Sequence, residues 1–237
     1  MNNLIYSAPI IMLRTLVQTI VTLTTFWWAK LWGRASRVKT DEIIKHWARA
    51  LLRIVNVTPL IMGTKPVYQN HQPYIIMSNH ASLYDIPIIL ATLPGSIRMI
   101  AKKELSYIPY FGTSLKHSEF IFIDRKNRAR AINDLQKAKE KMLDGIVIWV
   151  APEGTRSRDG QLGTFKKGIF KLAKETNAVI IPVGIRGARQ LLPPKTWAFN
   201  PGQTIEVHMG DPIVSDNFDE VTLNQHVREV MLKLLDK

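Results

Sequence analysis

Cysteine is absent from all 237 residues, which excludes disulfides, thiolate metal sites and a cysteine nucleophile, and suits a reducing compartment. Acidic residues are scarce. Nineteen Asp and Glu (19) stand against 32 Lys and Arg, for a net charge of +13 that calls for a polyanionic partner: anionic lipid, a phosphorylated substrate or nucleic acid. No zinc-finger spacing and no aromatic RNP block accompanies that charge, so no nucleic-acid partner is expected. The Gly-x-Ser-x-Gly elbow of α/β-hydrolases is missing too, which argues against a serine acyl-enzyme. His46, His71, His117, His208 and His226 show no metal-ligand spacing, and neither a metal nor a cofactor is expected. No repeat, low-complexity tract or internal linker is visible, so residues 60–237 read as one domain and residues 1–59 as an appendage.

The appendage is short of charge. From Met1 to Ala29 the single charged residue is Arg14, and no acid occurs before Asp41. Phe26, Trp27, Trp28 and Trp32 then meet Lys30, Arg34, Arg37 and Lys39, an aromatic-basic border of the kind found at the cytoplasmic side of membranes. A signal peptide is not expected, because the charged start and a small-residue cleavage site are both missing. The stretch is long enough to span, but Arg14 and five threonines weaken a span, so an embedded or interfacial helix is expected, with a single span as the rival. A buried soluble helix is the third reading, disfavoured because a helix apolar all round needs an apolar solvent. Asp41 to Val57 carries Ile43, Ile44, Trp47, Leu51, Ile54 and Val55 at helical spacing, with Lys45, Arg49 and Arg53 on the other face. It could lie on anionic lipid or pack on the domain. Pro59 ends it.

Beyond Val67 short apolar runs alternate with helical stretches. Strands are expected at 74–78, 97–101, 120–123, 146–150, 178–185 and 204–209, and helices at 127–143, 166–175 and 219–236. This alternation predicts an α/β domain with a largely parallel central sheet flanked by helices.

Four stretches carry chemistry. Tyr74 to Ser78 leads into Asn79-His80-Ala81-Ser82-Leu83-Tyr84-Asp85, followed by an apolar helix from Ile86 to Leu93. His80 thus falls at the C-terminal end of a strand, where open α/β sheets bind ligands, and a turn could return Asp85 to its imidazole. The carboxylate would hold one ring nitrogen protonated and leave the other as a base. A capped helix beside a surface histidine is the competing reading. Phe120-Ile121-Phe122-Ile123-Asp124-Arg125 ends a second strand in an Asp-Arg pair. Val150-Ala151-Pro152-Glu153-Gly154-Thr155-Arg156-Ser157 ends a third with a carboxylate, a glycine that lets backbone approach a ligand, and a guanidinium suited to phosphate. Gly163 to Gly168 precedes a helix N-terminus, a place that favours anions. In Val179-Ile180-Ile181-Pro182-Val183-Gly184-Ile185 the proline predicts a bulge or an edge.

In this order the blocks NHASLYD, FIDR, PEGTRS and IIPVGI resemble the glycerolipid acyltransferase family over residues 70–190, together with Ala101-Lys102-Lys103-Glu104-Leu105. The resemblance implies an acyl group passing from acyl-CoA or acyl-carrier protein to the 2-hydroxyl of 1-acyl-sn-glycerol 3-phosphate (lysophosphatidic acid). The product would be phosphatidic acid, made at the cytoplasmic face of a bacterial inner membrane whose anionic surface is a further partner. His80 would be the base and Asp85 its orienting partner. Arg125, Glu153, Gly154, Thr155 and Arg156 would bind the acceptor. Lys103 and Lys167 are further phosphate candidates, with solvated surface lysines as the alternative. Ser82 and Ser157 read as caps or hydrogen-bond partners. The sequence departs from the family at His117-Ser118-Glu119, which bears on the acceptor pocket. Another lysolipid acceptor, such as a lyso-ornithine lipid, and a non-enzymatic binder of anionic surfaces remain the alternatives.

Overall fold

The computed structural model describes residues 7–124 and 127–236, without the side chains of residues 128, 129, 131 and 132. Two helices come first, α1 (Ala8–Leu31) and α2 (Arg37–Ile54). Pro9 lies in the first turn of α1, where the N–H it lacks would have no partner anyway. The hydrophobic period predicted a later start for α2. It begins at Arg37 because Ser36 caps it, its hydroxyl accepting the N–H of Lys39.

The strands are β1 (Leu60–Met62), β2 (Tyr74–Ser78), β3 (Ile97–Lys102), β4 (Ile121–Ile123), β5 (Val147–Val150), β6 (Val179–Arg186), β7 (Glu206–Met209) and β8 (Ile213–Val214). Helices α3 (Asp85–Thr92), α4 (Phe111–His117), α5 (Arg128–Leu143), α6 (Lys167–Glu175) and α7 (Ala188–Leu191) lie between them, and α8 (Glu220–Leu235) closes the chain. Asp219 caps α8, accepting the N–H groups of Val221 and Thr222.

The strands form one sheet in the order β1-β7-β6-β2-β5-β3-β4, with β8 also paired to β6. From β6 through β4 every pairing is parallel. β7 and β8 run antiparallel to β6, and β1 is parallel to β7. The expected largely parallel sheet is therefore present. β1 and β8 add to it; at 3 and 2 residues they are too short to show a period in sequence. Pro182 occupies an inner strand. Val183 pairs with Met209 but Ile180 with Ile213, so the β7–β8 side carries one residue more, a bulge opposite the proline that has no N–H to offer.

All five residues of β2 are buried, as a central parallel strand requires. Tyr74 and Ile76 pack with α2, α3 and α7, and Ile75 and Met77 with α5, α6 and α8. Helix α2 contributes Ala48, Leu51, Leu52, Ile54 and Val55 to the first of these layers. Of its two expected environments, its apolar face takes the domain; Arg49 and Arg53 face solvent.

Helix α1 is long and apolar enough to cross a membrane, and its exposed stripe supports membrane association: Leu13, Leu16, Val17, Ile20, Val21 and Trp28 are all open. Its other side is fastened along its length. Ile11 lies in the core, the Trp47 indole donates to Thr19 Oγ1 at 3.1 Å, and the Trp27 indole donates to Ser114 Oγ at 2.9 Å. Arg37, expected in the lipid-facing basic cluster, instead donates to Glu119 and Asp144. His117, Ser118 and Glu119 meet α1, α2 and β3: Trp27 and His117 pack at a steep angle with ring centroids 5.6 Å apart, and the fully buried Arg98 donates to the Ser118 carbonyl, while Ser118 also borders an apolar space beside α1, α2 and α4.

Candidate active site

The chain leaves β2 through a turn that four residues from elsewhere in the chain hold. Asn79 bonds β6 with both ends of its amide, accepting the Ile185 N–H at 2.7 Å and donating to the Ile185 carbonyl at 2.9 Å. Glu153, in the loop after β5, accepts the His80 N–H at 3.0 Å and the Gly163 N–H at 2.8 Å. The Ser157 N–H donates to the His80 carbonyl at 2.7 Å. Ser82 Oγ donates to the Leu192 carbonyl at 2.9 Å.

Within this turn Asp85, at the first position of α3, is fully buried. Its Oδ2 lies 2.7 Å from His80 Nδ1 and accepts the N–H groups of Ala81 and Ser82, each at 2.8 Å. An oxygen already accepting two backbone bonds accepts the third as well, so Nδ1 carries the proton and Nε2 keeps a lone pair. The imidazole and the Trp149 ring stand nearly perpendicular with centroids 6.5 Å apart, and the Trp149 indole is itself fixed by donating to Ser78 Oγ at 3.0 Å.

His80 opens on a cavity of about 590 Å³. Gly154, Thr155 and Arg156 line it, with Met99, Leu105 and Trp149 supplying apolar wall. Gly154 turns the loop at φ 76°, a left-handed conformation that glycine adopts without a Cβ penalty. An apolar space of about 150 Å³ continues from this cavity toward α1, α2 and α4, sharing Ile86, Met99, Ala101 and Leu105 with it.

The expected site residues divide. His80, Gly154, Thr155 and Arg156 come together around the cavity. Glu153 sits behind it, with both carboxylate oxygens taken by backbone, and burial, the foremost cause, pushes its carboxyl above the ordinary range. Lys103 turns toward Asp124 Oδ2 at 3.4 Å and does not line the cavity. Lys167 is exposed at the start of α6, also outside it. Arg125 lies outside the described residues. Ser82 and Ser157 are engaged as hydrogen-bond partners, Ser157 Oγ donating to Asp159. Sequence reasoning missed Asn79 and Trp149 as positioning groups, and Lys102, Arg158 and Lys195 as cavity cations. An amide between a buried strand and a histidine was a visible signal for Asn79; the others had none. Among the described residues, no group of three His, Cys, Asp or Glu side chains could hold a metal ion.

An imidazole backed by a buried carboxylate, facing a cation-rimmed cavity with an apolar extension, can take a proton from a hydroxyl held beside an acyl group. The chain is similar to known proteins in sequence and fold. A family model described as Acyltransferase matches residues 60–186. The 1-acyl-sn-glycerol-3-phosphate acyltransferase of Saccharomyces cerevisiae is 34% identical over 168 residues, 70% of this chain and 55% of the yeast protein. The alpha form of Homo sapiens is 33% identical over 165 residues, 68% of this chain and 58% of the human protein. The chain thus spans somewhat more than half the length of these curated relatives. The crystal structure of the 1-acyl-sn-glycerophosphate (LPA) acyltransferase PlsC from Thermotoga maritima superposes with a TM-score of 0.72 at 26% identity, covering 93% of this chain and 96% of that one. With the family model spanning more than half of its residues, from β1 to the end of β6, the chain belongs to the acyltransferase family.

Proposed function

We propose that the protein acylates the 2-hydroxyl of 1-acyl-sn-glycerol 3-phosphate from acyl-CoA or acyl-carrier protein, giving phosphatidic acid. The observation that carries this reading is the His80–Asp85 pair opening on a cavity lined by Arg156. His80 Nε2 takes the hydroxyl proton as the oxygen attacks the thioester carbonyl. The C–S bond breaks, and the imidazolium returns the proton to the departing thiolate. Asp85 orients the ring and stabilises the imidazolium. Arg156 binds the acceptor phosphate, a role the family resemblance gives to Arg125 as well, while Gly154 and Thr155 shape the approach. Glu153 positions the His80 backbone. Lys103 and Lys167 are left with roles away from the headgroup. The acyl chain extends into the apolar space between α1, α2 and α4. No cofactor takes part.

The acceptor test compares headgroups. A phosphate monoester carries more negative charge than a phosphodiester and accepts bidentate bonds from Arg; a choline or ornithine headgroup brings a cation against the same arginine. Lysophosphatidate is therefore the best acceptor by kcat/KM at fixed donor. Arg156→Ala lowers that advantage about tenfold or more, mainly through KM. A preference for lysophosphatidylcholine or a lyso-ornithine lipid would overturn the phosphatidate assignment and leave acyl transfer standing.

Residues 1–59 supply membrane attachment in this reading and residues 60–237 the chemistry, at the cytoplasmic face of a bacterial inner membrane. Because α1 is fastened to the domain on one side and apolar on the other, it lies in the membrane surface with that stripe inserted. Salt of about 1 M shrinks the Debye length to roughly 3 Å, yet the protein stays in the membrane pellet. Leu16→Glu with Ile20→Glu, both on the open stripe, releases it. Release of the unaltered protein by salt alone would show the attachment to be electrostatic and the inserted helix wrong.

A further inference from the structure

Among the described residues four cations line the cavity, Lys102, Arg156, Arg158 and Lys195, and no carboxylate does. Among the described residues none of these side chains has an ion-pair or hydrogen-bond partner. One acceptor phosphate does not account for so much unpaired charge. Three of the four, Lys102, Arg158 and Lys195, are exposed, whereas Arg156 is half-buried; Arg158 and Lys195 stand at the mouth, on the loops after β5 and α7.

Both mouth cations stand on segments bonded to the His80 turn. Arg158 follows Ser157, whose N–H donates to the His80 carbonyl, and the Arg158 carbonyl is held by the guanidinium of Arg189 at 3.0 Å. Lys195 follows Leu192, whose carbonyl accepts from Ser82 Oγ. It takes a left-handed conformation, φ 61°, uncommon for a residue with a Cβ, in a turn closed by Thr196 Oγ1 donating to the Pro193 carbonyl at 3.0 Å. The fold thus presents Lys195 at a fixed place relative to the histidine.

Reach separates Arg156 from Arg158 and Lys195. In the acceptor, the reacting hydroxyl and the phosphate are separated by only a few bonds, so that phosphate stays deep, near Arg156. In the donor, the whole pantetheine arm separates the thioester from its phosphate, so with the thioester at His80 that phosphate lies at the mouth. We infer that Arg158 and Lys195 bind the phosphate carried on the 4′-oxygen of the donor's pantetheine arm, a group common to CoA and acyl-carrier protein. This inference rests on the acyl-transfer reading for its donor, but not on the identity of the acceptor.

Isothermal titration of the intact protein in detergent, without acceptor, isolates the contact. The probes are CoA, dephospho-CoA, 4′-phosphopantetheine and pantetheine. Charge-assisted hydrogen bonds are strong enough that 4′-phosphopantetheine binds at least about tenfold more tightly than pantetheine, while removing the 3′-phosphate of CoA changes Kd by no more than about threefold. Arg158→Ala with Lys195→Ala brings the first ratio close to one and leaves pantetheine binding unchanged; Arg158→Lys with Lys195→Arg keeps the ratio above about threefold. In steady-state assays the double alanine variant raises KM for acyl-CoA and for acyl-carrier protein alike and leaves KM for lysophosphatidate unchanged. A ratio that survives the alanine substitutions overturns the inference. So does a loss confined to the 3′-phosphate of CoA, or one confined to acyl-carrier protein, which would make the pair a protein-docking patch. If the ratio behaves as expected but lysophosphatidate is not acylated, the donor site stands and the acceptor assignment alone falls.

Discussion

His80→Ala lowers kcat by about 10²–10⁴-fold, the usual worth of a positioned general base. An alcohol is a poor nucleophile at neutral pH, and no other described group at the cavity wall is a base with a free lone pair: the remaining titratable lining residues are Lys102, Arg156, Arg158 and Lys195. Asp85→Asn is impaired to a comparable degree. Its amide oxygen can still accept from Ala81, Ser82 and Nδ1, but an amide carries no charge to offset the imidazolium. The alanine variant should keep the wild-type circular dichroism spectrum, because the turn is also held through the His80 backbone by Glu153 and Ser157. Turnover near wild type in a folded His80→Ala protein would sink base catalysis at this site.

Arg98→Ala is expected to be the costliest substitution for stability. Arg98 is 1% exposed on β3, and its guanidinium donates to Asp41 on α2 at 2.6 Å, to the Ile97 carbonyl at 2.9 Å and to the Ser118 carbonyl, with Glu119 at 3.8 Å. Truncation leaves Asp41 and the Ser118 carbonyl without this partner in a water-poor place. Removing one member of a buried ion pair costs about 3–5 kcal/mol. For a chain of this size each kcal/mol lowers Tm by about 2–4 °C, so a fall of roughly 6–20 °C is expected in a thermal melt. A fall of under about 2 °C would mean that the sheet holds α2 without this network. The same cluster gives the fold an acid limit. Arg37, first by its direct hydrogen bond, holds the Glu119 carboxyl below the ordinary range. That pair stabilises the fold above the unfolded carboxyl pKa, and its contribution disappears as pH falls through the lowered value.

Much of the site was readable from local chemistry along the chain. The strand 74–78 announces itself because a parallel strand buried on both faces is a continuous apolar run, and 97–101 was legible around Arg98. His80 and Asp85 were readable as a pair because they sit five positions apart, close enough for one turn to join them. The acyltransferase family followed from four short blocks, each spelled by consecutive residues, three at strand ends and the fourth within β6. What folding alone decided is every contact between residues distant in sequence. Nothing local says that Glu153 would spend both oxygens on the N–H groups of His80 and Gly163, that Lys103 would turn to Asp124 while Lys102 faces the cavity, or that Lys195 would arrive at its mouth. Nor could a helix with one apolar and one basic face declare its own solvent: periodicity records that α2 has a side to bury, and only the place of β2 and α3 opposite Leu51 and Val55 made that solvent protein rather than lipid.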